Sequence, residues 1–239
     1  MKNHNILVVI PARGGSVAVP RKNIRNLNGH PLISYAIKAA LNCIIELDII
    51  VSTDDQEIAE VAISCGAEVP FIRPKEISNS NSSLAQVSKH ALDFYQGNGK
   101  FYDAVMSIQP TSPFITSKTI QKVIEIYEQK SCSSVSTISE MHFGHPYTAK
   151  KISEDGDITN FSHIPEGAIT APRQKREPAY VPNGALYLRS KEAFTDSNSD
   201  RWQLGATPKA VIMSEYESVD INTEFDFKYA EFLIKTLNE

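Results

Sequence analysis

Apolar residues fall along this chain in two alternating patterns. Short runs rich in valine and isoleucine occupy 6–10, 48–52 and 104–108, each closed by turn residues, and read as strands buried on both faces. Between and after them, at 32–41, 56–65, 84–95 and 117–128, apolar residues recur at helical spacing. The stretch 68–72 reads as a short extended segment, and 134–138 as another. Strands separated by single helices predict an α/β fold, a doubly wound, mostly parallel sheet covered on both faces. Ligands in such sheets sit beyond the carboxyl ends of the strands.

The alternation breaks at 142–176, where glycines, prolines and an Asp155-Gly156 turn replace any long periodic segment. This reads as an insertion of irregular strands, with a hairpin around Asp155-Gly156. It is too long for a plain loop in a compact domain, and insertions of that length are usually functional. Regular patterning returns with strands at 185–188 and 210–213 and a closing helix at 224–237. The whole chain, 1–239, reads as a single domain with one small inserted segment.

Composition narrows the function classes. The hydrophobic share of 41% and charged share of 22% are those of an ordinary soluble domain. A formal net charge of −4 gives no basic footprint, which argues against nucleic-acid binding as the main task, so any anion site is built locally. Cys43, Cys65 and Cys132 stand in no metal-ligand spacing and read as small buried hydrophobes of a reducing compartment. The N-terminus offers five apolar residues before Pro11, too few for a signal-peptide core or a membrane span. A cytoplasmic protein with no membrane partner is expected.

Candidate chemistry clusters where strands end. After the first strand come Ala12, Arg13, Gly14, Gly15 and Ser16, then Pro20, Arg21, Lys22 and Asn23. A glycine pair there lets several backbone N–H groups converge on phosphate oxygens, and the three cations would add charge. The loop lacks the Gly-Lys-Ser/Thr ending of the P-loop and the three spaced glycines of the dinucleotide fingerprint. Asp54 or Asp55, after the second strand, is suited to cap the next helix. Arg73 ends the third extended segment, and Ser82-Ser83 opens a helix. Gln109-Pro110-Thr111-Ser112-Pro113 is a rigid turn after the fourth strand. Near the end, Asp220 and Asn222 are two apart on an extended segment and can converge on one cation, while Thr223 is placed to cap the closing helix.

In this order, these motifs resemble the acylneuraminate cytidylyltransferases, the CMP-nonulosonate synthetases, over essentially the full chain. The first motif of that family reads Ala-Arg-Gly-Gly-Ser-Lys-Gly-aliphatic-Pro-x-Lys-Asn, and this chain departs from it only at Val17 and Ala18. The Gln-Pro-Thr-Ser-Pro turn matches almost completely, as do Arg173-Gln174 and the Asn183-to-Tyr187 strand. The family usually has Asp where Asn222 stands, and its sialic-acid members commonly have arginine where Val181 stands. The resemblance implies a nucleotidyltransferase, Rossmann-like fold that joins CTP to an acidic nine-carbon sugar and releases pyrophosphate, with Mg2+ as cofactor. It implies nucleotide contacts from Ala12, Arg13, Gly14, Gly15, Ser16, Arg21, Lys22, Asn23, Arg73 and Ser82. Sugar contacts would come from Gln109, Thr111, Ser112, Arg173, Gln174, Asn183 and Tyr187. Arg13, Lys22 and Asp220 would be catalytic, Asp220 and Asn222 the metal ligands, and the segment 142–176 the dimerisation element of a homodimer. Two alternatives stay open on the sequence: a sugar nucleotidyltransferase of other base or sugar, such as a Kdo-type or guanylyl enzyme, and a non-catalytic nucleotide-binding relative.

Overall fold

The computed structural model describes residues 4–16, 18–129, 131–141, 144–166, 177–195 and 203–237. In chain order, β1 (Ile6–Pro11) is followed by the short pair β2 (Asn26–Leu27) and β3 (His30–Pro31), then α1 (Leu32–Leu41), β4 (Asp48–Ser52) and α2 (Gln56–Ser64). Next come α3 (Leu84–Gly97), β5 (Ala104–Ile108), α4 (Ser117–Gln129) and β6 (Ser134–Glu140). The chain then forms β7 (Lys150–Ile152), β8 (Ile158–Asn160), β9 (Tyr180–Ser190), β10 (Pro208–Ile212) and α5 (Glu224–Leu237).

Six strands form one sheet in the order β10-β6-β9-β5-β1-β4. β4, β1 and β5 pair in parallel, as do β10 and β6, whereas β9 runs antiparallel to both β5 and β6. β7 and β8 lie between β6 and β9 in the chain, and an antiparallel pair such as β6 and β9 needs no helical crossover. The expected strand at 185–188 is thus the inner part of a longer strand that begins at Tyr180. The segment at 68–72 is extended as expected but forms only isolated parallel bridges, Glu68 with Ile50 of β4 and Ile72 with Thr53, and Pro70 between them has no N–H to continue a ladder.

Side-chain alternation along β1 builds the core on both faces. Val8 and Ile10 pack with Ile33 and Ile37 of α1 and Ile120 and Ile124 of α4, while Leu7 and Val9 pack with Ala91 and Leu92 of α3. A third cluster joins Leu27 and Leu32 to Ile221 and to Phe227, Ala230 and Ile234, and so fixes α5 beside the loop that follows β1. The hairpin expected around Asp155-Gly156 is β7–β8, with Gly156 at a φ of 88° in the left-handed turn conformation that glycine adopts without strain. Among the described residues no helix is long and apolar enough to cross a membrane.

Candidate active site

Two neighbouring strands set the geometry. β1 and β4 pair with Pro11 opposite Ser52, and Ala12 N–H donates to the Ser52 carbonyl at 2.9 Å, so the loop after β1 and the turn after β4 leave the sheet side by side. Asp55 caps α2, accepting from Ile58 N–H at 3.0 Å. Asp54 turns the other way and accepts from Gly14 N–H at 2.9 Å. Arg21 donates through Nη1 to Asp55 Oδ2 at 2.5 Å and through Nη2 to Glu57. Its φ of 55° lies in the left-handed region, uncommon for a residue with a side chain.

This arrangement alters the expected phosphate cradle. Gly14 N–H is taken by Asp54, and Ser16 N–H returns to the Gly14 carbonyl at 3.0 Å, so neither amide is aimed at a ligand. Arg21, expected at the phosphates, is held against the start of α2. Gly15 is exposed and has open space where a Cβ would stand. Gly14 is required for a different reason: a Cβ there would lie 2.7 Å from Asp55 Oδ2 and 2.9 Å from Asp55 Cβ.

A polar cleft of about 410 Å³ opens between the ends of β1 and β5. Arg13, Ser16, Ala18, Lys22 and Asn23 line it from the loop, Gln109 and Thr111 from the turn after β5, and Asp220 and Asn222 from the segment before α5. Asn23 is buried and donates through Nδ2 to the Arg13 carbonyl at 3.0 Å, which fixes the loop from within. Lys22 Nζ donates to the Ile221 carbonyl at 2.8 Å, and Ile221 N–H donates to the Thr111 carbonyl at 2.8 Å. Three separate segments are therefore laced together at the cleft. Burial pushes the Lys22 ammonium below the ordinary lysine value, and the Asp220 carboxylate partly opposes that shift.

A second cleft of about 250 Å³ shares Pro11, Arg13 and Gln109 with the first and adds Arg73, Asn79 and Ser82. Arg73 is only 4% exposed. Its backbone N–H donates to the Thr53 carbonyl at 2.7 Å and its Nε to Ser78 Oγ at 3.0 Å, so the side chain is anchored at both ends. Burial lowers its pKa, with Asp54 opposing and Arg13 reinforcing the shift. Ser82 lines the cleft and accepts from Asn79 N–H at 3.2 Å, while Ser83 caps α3 in a capping box with Gln86.

Other expected contacts do not reach these clefts. Ala12 and Ser112 are buried beneath them, at 0% and 1% exposure. Tyr187 is 1% exposed, because alternation along β9 turns it into the sheet interior, where its ring lies 4.6 Å from the Arg189 guanidinium. Asn183 accepts from Thr137 Oγ1 at 2.7 Å and donates from Nδ2 to Ser218 Oγ at 3.0 Å. Its amide thus ties β6 and β9 to the segment before α5 at a register shift between the two strands, and lines neither cleft. Arg173, Gln174 and Val17 lie outside the described residues.

Residues 7–198 match the family model described as cytidylyltransferase. The chain belongs to this family. A CMP-N,N'-diacetyllegionaminic acid synthase of Legionella pneumophila is 34% identical over 98% of both chains. A pseudaminic acid cytidylyltransferase of Campylobacter jejuni is 31% identical over 100% of this chain and 99% of the relative. Among solved structures, a CMP-2-keto-3-deoxy-manno-octonic acid synthetase complexed with CTP superposes with a TM-score of 0.69 at 16% identity, over 97% of this chain and 99% of that one. A 4-diphosphocytidyl-2C-methyl-D-erythritol synthase of Anaerococcus prevotii superposes at 0.64 and 14% identity, over 96% and 98%. At those identities the superpositions establish the shared fold. The cytidylyltransferase family is one of nucleotidyltransferases, and the doubly wound, mostly parallel sheet agrees with it.

In this cytidylyltransferase Asn222 donates through Nδ2 to Asp220 Oδ2 at 2.6 Å, so the two side chains converge as their spacing predicts. Thr223 caps α5: its hydroxyl accepts from Asp226 N–H at 3.3 Å, and Asp226 accepts from Thr223 N–H at 2.7 Å. Among the described residues there is no cluster of three or more His, Cys, Asp or Glu that would cage a cation. One carboxylate beside an amide oxygen fits magnesium, which takes most of its ligands from water and substrate phosphates.

Gly14→Ala tests the tight contact with Asp55. The added methyl displaces either the loop or the cap of α2, because the Asp55 side chain is held by Ile58 N–H and Arg21 together. The expected result is about a tenfold weaker CTP affinity, together with a melting temperature lower by a few degrees, in the manner of overpacking. Calorimetric titration and thermal unfolding measure both.

Proposed function

We propose that this cytidylyltransferase activates a nonulosonic acid, an acidic nine-carbon sugar of the sialic, legionaminic or pseudaminic type. It would use CTP and give the CMP-sugar and pyrophosphate. The observation that carries this reading is the meeting of Arg13, Lys22 and Asp220 in one cleft from two distant segments of chain. The names of the relatives supply the sugar class. The sugar's anomeric hydroxyl attacks the α-phosphate, and catalysis of that step rests on in-line positioning and charge neutralisation.

Arg13 lines both clefts and faces the polyphosphate, with Lys22 beside it in the larger one. Arg73, Asn79 and Ser82 hold the nucleoside. Gln109 and Thr111 face the sugar. Asp220 and the amide oxygen of Asn222 would hold magnesium, which when bound supplies charge at the phosphate oxygens and lowers the pKa of a coordinated hydroxyl.

A pyrophosphate-release assay over CTP, ATP, GTP and UTP, with a panel of nonulosonic acids and with Kdo, tests the reading. Turnover with CTP and at least one nonulosonic acid, abolished by EDTA, is expected. Equal turnover with GTP or UTP overturns the base assignment. Nucleotide binding without turnover makes the chain a non-catalytic relative.

We also propose that the enzyme is a homodimer built on the inserted segment. The β7–β8 hairpin pairs with no strand of the main sheet, and it exposes Ile152 at 72%, Ile158 at 67% and Phe161 at 70%. An isolated two-stranded hairpin is marginal in water and gains stability from packing against another surface. Light scattering at micromolar concentration is expected to give twice the chain mass, and the Ile152→Asp, Ile158→Asp double variant the monomer. A monomeric wild type refutes this.

A further inference from the structure

We infer that Asp54 is a positioning residue of the nucleotide site, resting on the CTP reading above. A single oxygen of its carboxylate holds the glycine loop of one cleft and the buried arginine of the other in register. Asp54 itself lines neither cleft.

Asp54 Oδ1 accepts from Gly14 N–H at 2.9 Å, and the same oxygen lies 3.9 Å from Arg73 Nη2. The second distance is too long for a hydrogen bond and acts as a charge contact, but it joins a guanidinium that is 3% exposed to a carboxylate that is 24% exposed. Among the described residues no other acid lies within ion-pair distance of Arg73. The cation most deeply set in the nucleoside cleft therefore takes its counter-charge from the residue that fixes the phosphate loop. Asp55, next in sequence, caps α2 and grips Arg21 at the other end of the same loop. The two acids divide the work. Asp55 clips the loop to α2, and Asp54 sets the direction of Arg73 relative to Gly14.

Asp54→Asn separates these roles, because the amide retains an acceptor oxygen for Gly14 N–H and loses the charge that faces Arg73. Calorimetric titration with CTP, without sugar, reads the outcome, since a variant that only unfolds in part lowers the number of sites and leaves Kd unchanged. Asp54→Asn is expected to raise Kd for CTP about tenfold and leave kcat within about threefold of wild type. In the Arg73→Ala background the same substitution is expected to change Kd by less than about twofold, because its effect passes through Arg73. Asp54→Ala also releases Gly14 and is expected to lower kcat as well. Wild-type Kd in both Asp54 variants overturns the inference, as does an equal effect of Asp54→Asn with and without Arg73. If the wild type itself binds no CTP, the nucleotide reading fails, and this inference with it.

Discussion

Arg13→Ala and Asp220→Ala are each expected to lower kcat/KM for CMP-sugar formation by about a hundredfold or more. Arg13 is shared by both clefts, and its backbone carbonyl is held by the buried Asn23, so its guanidinium starts from a fixed base. Among the described residues Asp220 is the one carboxylate lining the larger cleft, so no second acid described there takes over its charge. Removing one preorganised charged contact of this kind costs about 3 kcal/mol of transition-state stabilisation, which is roughly the stated rate loss. Steady-state kinetics with saturating magnesium measure it. Wild-type rates in both variants would place the reaction centre elsewhere in the fold.

Lys22→Met is expected to be nearly as damaging, by about a hundredfold in kcat/KM, and for a double reason. The variant loses an ammonium at the cleft, and it also loses the bond from Nζ to the Ile221 carbonyl that moors the Asp220 segment to the loop. The loss should fall on both KM for CTP and kcat, whereas a lysine that served only as a surface charge would move neither. Restored activity in Lys22→Arg would show that charge alone suffices. Continued loss would show that the Ile221 contact matters as well, because a planar fork does not reproduce a point donor at 2.8 Å.

Much of the fold was legible because its signals are local. The segments 32–41, 48–52, 104–108 and 224–237 form the elements that their apolar spacing predicts, with the same limits. What escaped was set by distant partners. Apolar spacing marks a strand but carries no direction, so nothing in Ala185 to Leu188 revealed that β9 runs against its neighbours. Nor did residues 180–182, with a proline among them, show that they extend this strand, until Ile138 to Glu140 of β6 pair with Tyr180 to Pro182. The site divides along the same line. Cations and hydroxyls at strand ends were visible as residues, and the structure gathers Arg13, Lys22, Gln109, Thr111, Asp220 and Asn222 into one cleft.

Their competing partners were not visible. Arg21 reads as a phosphate ligand until Asp55 and Glu57 are brought beside it, and Asn183 as a sugar contact until Thr137 and Ser218 occupy its amide. Two adjacent acids after β4, where one cap was needed, were the available hint that Asp54 had other work.

The antiparallel union of β6 and β9 has an evolutionary consequence. Met141 N–H meets the Ala179 carbonyl at 2.8 Å, so the described residues between these two, β7 and β8 among them, lie on an excursion that leaves the sheet and comes back to the same point. In topological terms it is the loop of an oversized hairpin, whatever it contains. Lengthening a loop whose ends already touch adds closure entropy only logarithmically, about 0.6 kcal/mol for each doubling. That excursion can be shortened, enlarged or replaced in descendants at little thermodynamic expense, while the strands that carry the loops of the two clefts keep their register. A sheet of this design separates the inheritance of its chemistry from the inheritance of its protruding parts.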